Sequence, residues 1–291
     1  MVQAKTVSKL LKDQGCETEI ISIQTSGDRG DRFVLGAFVR EIQQSLLEGN
    51  IDVALHCLKD LPTTPVQGLV LGAYLKREDA RDALISPHAS LSDLPMNAVI
   101  GTGSLRRTSQ MALQRSDVSF KPLIGNVDTR MRKLVQGEYD AIVLAMAGLM
   151  RLGWLESWSV SDYRGLIISP LSVDVMVPSP GQGVLVLETR EADADTLDAI
   201  SVVHHEPTAQ ASKSERAFLA TFGGGCSVPV GAYGVFGENG LNLTGCVVSP
   251  DAARHKRGSN EAEGRSPEEQ GEALAQQLDA FDIVREVLGA R

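Results

Sequence analysis

Short apolar runs recur through the first two-thirds of the chain, separated by segments of helical spacing, and this alternation restricts the fold more than any other feature. The runs at 51–56 (IDVALH), 69–75 (LVLGAYL), 98–101 (AVIG), 139–145 (YDAIVLA) and 184–188 (VLVLE) are too short for buried helices and rich in aliphatic side chains, so they read as strands. A further strand is expected at 19–24. Helical patterns occupy 1–12, ending at Gly15, then 38–48, stopping at Gly49. Another starts at Leu105 with Ser104 as its cap, and a fourth covers 129–137. Strands alternating with helices predict an α/β fold on parallel sheets with crossover helices.

The last third breaks the pattern. A helix over 207–222 runs into Gly223, Gly224 and Gly225, strands follow at 231–236 and 241–248, and polar 252–264 reads as a loop. Ser266-Pro267-Glu268-Glu269 is a capping box with proline at the first helical position, opening a final helix. This third is expected to be a small α+β domain. At 291 residues the chain has room for two or three domains of roughly 100–150 each. The Pro/Ser/Gly-rich stretch 168–183 suggests a crossing between domains, and the strand after it returns to the first. The expected division is 1–78 with 184–202 as domain 1, 79–183 as domain 2, and 203–291 as the C-terminal domain.

Charged residues are 22% and hydrophobic ones 43%, ordinary globular usage, while a net charge of −9 argues against broad binding to nucleic acid or an acidic membrane. No apolar run approaches the roughly 18 residues of a membrane span. Cys16, Cys57, Cys226 and Cys246 form no C-x-x-C pair, which reads as reduced thiols in a cytoplasmic protein.

Within this acidic chain, cationic residues gather at strand-to-helix turns. Lys59 and Asp60 follow the strand 51–56 at the end where α/β sheets bind ligands, although a solvated turn would look the same. Gly101-Thr102-Gly103-Ser104-Leu105-Arg106-Arg107 joins a strand to a helix N-terminus, adds two hydroxyls, and carries two arginines suited to bidentate carboxylate binding. It lacks the spacing of a phosphate-binding Walker loop. Gly125-Asn126-Val127-Asp128-Thr129-Arg130 opens another helix, and Arg151 lies in AGLMRLG. Together these predict a polycarboxylate ligand. Cys226, after three glycines, sits where backbone and ligand can approach closely, but by itself it is equally a structural thiol. His204-His205-Glu206 lacks zinc-site spacing and reads as a helix start.

The order of HCLKDLPT, REDARDALIS, GTGSLRR, GNVDTR, EYDAIVLAMAGLMRLG, PSPGQGVLVLE, HHEPT, SERAFL and GGGCSVPVGAY, from about Gln14 to the C-terminus, resembles the hydroxymethylbilane synthase (porphobilinogen deaminase) family. The resemblance implies two periplasmic-binding-protein-like domains plus a C-terminal domain, in a cytoplasmic monomer. It implies a transferase that joins four porphobilinogen molecules, with loss of ammonia, into a linear tetrapyrrole on a dipyrromethane cofactor carried by Cys226. Asp60 would be the catalytic group. Lys59, Asp60, Thr102, Ser104, Arg106 and Arg107 would hold the cofactor, while Asn126, Arg130, Arg151 and Gln182 would bind substrate. No metal is implied.

The chain also departs from that pattern. The family's opening strand and turn, resembling R-I-A-T-R-x-S-P-L-A, has no counterpart before Met1, so the first sheet is expected to lack a strand. Ile124 stands where the family usually has arginine, Cys57 replaces serine, and the loop 28–36 lacks the usual lysines. These departures leave an impaired or truncated homologue, or a two-lobed small-molecule binding protein, as the competing expectations.

Overall fold

A computed structural model describes residues 1–23, 37–158, 163, 165–223, 225 and 228–289. Among the described residues, three sheets carry the architecture. The first has the order β1-β8-β2, from Ala54–Cys57 (β1), Leu69–Tyr74 (β2) and Leu185–Arg190 (β8). Both pairings are antiparallel. The expectation of parallel pairing therefore fails here, because β8 arrives from the distant crossing and enters between β1 and β2 in the reverse direction. Helix α1 (Val2–Asp13) lays Val7 and Leu11 on one face with Leu185 and Leu187. Leu58, Leu61, Val184 and Val186 form the other face, together with Val39 from α2 (Ala37–Leu47).

The second sheet is mixed. Its strands are Asp82–Ser86 (β3), Val99–Gly101 (β4), Ser119–Lys121 (β5), Ala141–Ala145 (β6) and Ile167–Pro170 (β7), in the order β5-β4-β6-β3-β7. β4 pairs in parallel with β5 and β6, whereas β3 is antiparallel to β6 and β7. Successive β3 side chains serve different cores: Leu84 joins Ile100, Met111 and Val143, while Ile85 joins Met131, Ile142 and Leu149. Burial on both faces explains why these strands read as continuous apolar runs. Helices α3 (Leu105–Gln114), α4 (Val127–Val135), α5 (Met146–Arg151) and α6 (Trp154–Ser157) belong to this region.

The third sheet, β11-β10-β9, is an antiparallel meander of Val230–Gly237 (β9), Gly240–Val248 (β10) and His255–Glu261 (β11). The expected loop 252–264 is thus largely a strand. Its polar sequence misled because β11 is an edge strand with mostly exposed side chains, held by its ladder to β10. Helix α8 (Glu206–Thr221) and α9 (Pro267–Leu278) build the core under this sheet with Phe218, Leu243, Val247 and Leu274. The Ser266 capping box forms as expected, but a second helix, α10 (Phe281–Gly289), follows α9. Helix α7 (Ala194–Ser201) precedes α8, and His205 caps α8 by accepting from Thr208 N–H.

The strand expected at 19–24 does not form over its described part. Residues 17–23 have no regular structure and are mostly exposed, and no strand among the described residues pairs with them. No helix among the described residues is long and apolar enough to cross a membrane.

Candidate active site

The candidate site grows from the end of β1. After Cys57 the chain makes a single 3-10 turn, Leu58–Asp60, pinned by buried Leu58 and Leu61. Leu58 N–H also donates to Val184 O at 3.0 Å. That contact needs the crossing chain to come very close. Gly181 and Gly183 have φ of +73° and +84°, and a Cβ would sit 2.8 Å from Leu58 Cγ at the first and 2.6 Å from Glu78 O at the second. Glycine is therefore required on both sides of Gln182.

Gln182, only 1% exposed, connects the two sheets. Its amide donates to Ala80 O at 2.7 Å and to Asp82 Oδ1 at 3.0 Å, and its carbonyl oxygen accepts from Lys59 Nζ at 3.2 Å. Asp82, at the head of β3, is wholly buried. Arg107 Nε and Nη2 donate to its Oδ1 at 3.0 and 2.7 Å, and Arg107 Nη1 donates to Val143 O. Arg106 Nη1 lies 2.8 Å from Asp82 Oδ2, a charge contact outside hydrogen-bond alignment, and donates to Val177 O at 2.9 Å. Both arginines thus face inward, onto a carboxylate of the protein itself.

Charge follows from this geometry. Burial opposes ionisation of Asp82, but the two guanidinia outweigh it and hold the carboxyl well below the usual carboxylate range. Protein atoms crowd the Lys59 ammonium, and this desolvation, reinforced by Arg107, lowers its pKa against the opposing pull of Asp60 and Asp82. Arg106 and Arg107 are two buried cations on the one carboxylate of Asp82, and half-buried Lys59 is joined to it through Gln182. Asp60 itself is exposed at the mouth of the turn, within electrostatic reach of Lys59 and Cys57. Burial and then Asp60 push the Cys57 thiol up, while Arg151 and Lys59 oppose.

The remaining expected residues lie around this cluster. Thr102 is buried, and its hydroxyl accepts from Ser104 N–H at 3.2 Å. Ser104 occupies the cap position of α3 but makes no side-chain cap bond, contrary to expectation, and its backbone N–H donates to Thr102 Oγ1. Arg130 Nε donates to Gly125 O at 2.6 Å, and its positive charge reaches Arg107. Arg151 is tied to Glu78 Oε1 and Gly183 O at 3.0 and 2.9 Å. Asn126 is exposed and uses its side chain to cap α4 through Thr129 N–H. Ile124, beside it, is 64% exposed. Cys226 and its neighbours Gly224 and Ser227, like the loop 28–36, lie outside the described residues.

Sequence reasoning missed the acidic partners. Asp82 heads the otherwise apolar strand DALIS, and a lone acid in such a strand is a legible sign of a buried cation. Glu215, fully buried on α8, accepts from Arg77 Nη1 and Nη2, from Gly181 N–H and from Gly234 N–H, each at 2.7 Å. It ties the glycine-flanked segment of Gln182 to the third sheet, and no local pattern marks it.

Comparison with known proteins supplies the context. A family model described as porphobilinogen deaminase, dipyromethane cofactor binding domain, matches residues 1–198, and one for the porphobilinogen deaminase C-terminal domain matches 209–280. The porphobilinogen deaminase of Geobacillus kaustophilus is 45% identical over 260 residues, covering 86% of this chain and 82% of that protein. Those of Gloeobacter violaceus and Bacillus subtilis are 42% and 40% identical, covering 90% and 94% of this chain and 81% and 88% of theirs. Among solved structures, the Bordetella pertussis BvgS periplasmic VFT2 domain aligns with a TM-score of 0.40 at 15% identity, over 69% of this chain and 76% of that one, too slight a likeness to bear on function. With two family models spanning most of its length and relatives above 40% identity, this chain belongs to the porphobilinogen deaminase family.

Proposed function

We propose that this chain is a transferase that condenses four porphobilinogen molecules, releasing ammonia at each step, into the linear tetrapyrrole hydroxymethylbilane, with a dipyrromethane cofactor held through Cys226. The observation that carries the reading is the pair of buried guanidinia, Arg106 and Arg107, set against the one carboxylate of Asp82. Unbalanced buried cations are costly, and a ligand bearing several carboxylates offsets them. The residues therefore fit the cofactor, whose chemistry is to offer a covalently tethered pyrrole end for elongation. Arg106 Nε and Nη2, which make no hydrogen bond among the described residues, are suited to its carboxylates.

Lys59, after β1, and Thr102 and Ser104, after β4, are assigned to the anion cradle. Arg130, Arg151, Asn126 and Gln182 are assigned to substrate. Asp60, exposed beside Lys59, supplies negative charge where a cation develops as ammonia leaves the substrate. We divide the chain as 1–78 with 184–202, 79–183, and 203–291, a division supported by the three separate sheets. We place the enzyme in the cytoplasm as a single chain, a reading consistent with free Cys16, Cys57 and Cys246.

The test is an intact mass of the purified chain together with a porphobilinogen consumption assay. A two-pyrrole mass increase that disappears in Cys226→Ser, with consumption in the unmodified chain, is the expected result. An increase that persists in Cys226→Ser removes Cys226 from its role, and absence of both signals rejects the reading.

A further inference from the structure

The two arginines of the candidate site could not stand where they do without Asp82. Its position at the start of β3 is set by the ladder, where Asp82 pairs with Ala145 and the following residues bury on both faces. From there its carboxylate takes Nε and Nη2 of Arg107 on one oxygen, while the other lies against Nη1 of Arg106. The remaining hydrogen bonds of the pair go to backbone: Val143 O for Arg107 and Val177 O for Arg106. The Val177 end is itself locked, because Gln110 both donates to Val177 O and accepts from Val177 N–H. Each guanidinium is thus clamped between Asp82 and a fixed carbonyl. The clamp leaves Nε and Nη2 of Arg106 without a partner among the described residues. Gln182 adds Lys59 to the same carboxylate, since its amide bridges Lys59 Nζ and Asp82 Oδ1.

We propose that Asp82 is a positioning residue for cofactor capture: it acts through Arg106, orienting the unpartnered Nε–Nη2 edge toward an incoming carboxylate while cancelling one of two buried positive charges. Asp82 does not touch the ligand. Its carboxylate keeps the arginines ordered and charged before any ligand arrives, so the ligand meets a preorganised edge rather than two repelling, mobile side chains. The inference rests on the functional reading above.

The full-length chain, Asp82→Asn, Arg106→Gln and the double variant are purified, and intact mass gives the fraction carrying the two-pyrrole increase while thermal melts report folding. Removing one partner of a buried charge pair is strongly destabilising to the arrangement it holds, so the fraction of chains carrying the increase is expected to fall severalfold in Asp82→Asn. Because Asp82 acts mainly through Arg106, adding Asp82→Asn to Arg106→Gln should cause a much smaller fall than Asp82→Asn causes alone, the remainder reflecting Arg107, a non-additivity that a general loss of stability does not produce. A cooperatively melting Asp82→Asn chain with unchanged occupancy overturns the role. If Asp82→Asn alone does not melt cooperatively, the double variant, which removes one charge of each sign, is compared with Arg106→Gln. Occupancy close to that of Arg106→Gln then supports the role, and a further fall of the size expected for Asp82→Asn overturns it. An unmodified chain without the mass increase overturns the functional reading and the role of Asp82 with it. Normal occupancy in every Asp82 variant overturns the role alone.

Discussion

Lys59 and Asp60 are sequence neighbours with opposite surroundings. Crowding lowers the pKa of the lysine, while the aspartate stays at the exposed mouth of the turn, where it can meet substrate. Removing its charge while keeping its shape isolates electrostatics from sterics. Asp60→Asn is therefore expected to lower kcat by about 10²–10³, the usual cost of one well-placed electrostatic group. Adduct occupancy should change far less if, as proposed, the cations around Asp82 hold the cofactor carboxylates. Turnover assays and intact masses on the same preparations check both parts. Near-normal kcat in Asp60→Asn would take Asp60 out of the mechanism. Elsewhere burial silences a side chain: the Cys246 thiol is pushed up to about 11 by desolvation, against the pull of Arg257 and Arg106, so it has no nucleophilic role near neutral pH.

At the scale of elements, α8 does more than cover the third sheet. Glu215 accepts two bonds from Arg77, just after β2, and one each from the Gly181 turn and β9. Three separate parts of the chain are thus fastened to one buried carboxylate. Glu215→Gln keeps the size but leaves Arg77 as a buried charge without its counterion. Breaking such a pair costs about 3–5 kcal/mol, a large part of the total stability of a folded domain. Urea unfolding should show the loss. Since Gly181 flanks Gln182, the surviving folded fraction should also lose adduct through the displaced Gln182. A denaturation midpoint within experimental error of the parent would show that the backbone contacts hold this junction without the ion pair.

For the whole molecule, the Asp82 cluster predicts how stability responds to acid. A carboxyl whose folded pKa lies below its unfolded value binds fewer protons when folded, so it contributes stability that is complete above the unfolded value, about 4. That contribution is lost as pH falls from there through the lower folded value. Thermal melts between pH 6 and pH 3, roughly the window set by ordinary carboxylate titration, should be flat at the upper end and decline toward the lower. Asp82→Asn should flatten part of that decline. Equal slopes for the two chains would mean that Asp82 does not carry a coupled charge in the folded state. Lys59 works in the opposite range: its lowered folded value means stability rises with pH between that value and about 10.4, the ordinary lysine pKa.

What the sequence determined by itself was the set of locally encoded elements. The apolar runs that became β2, β4, β6 and β8, the capping box at Ser266 and the Pro/Ser/Gly-rich crossing at 168–183 depend on propensity, periodicity and turn chemistry within a few residues. The cations at strand ends were legible for the same reason, because their turns lie next to their strands. Tertiary structure decided what those cations face. Arg106 and Arg107 read as ligand-facing arms, yet Asp82, some 24 residues earlier, receives both, and only the pairing of β3 with β6 brings it there. Strand direction in the first sheet and the identity of β11 were likewise settled by partners far along the chain. A ladder is a contract between two segments, and an ion pair needs the counterion's position. Neither is contained in a local window of sequence.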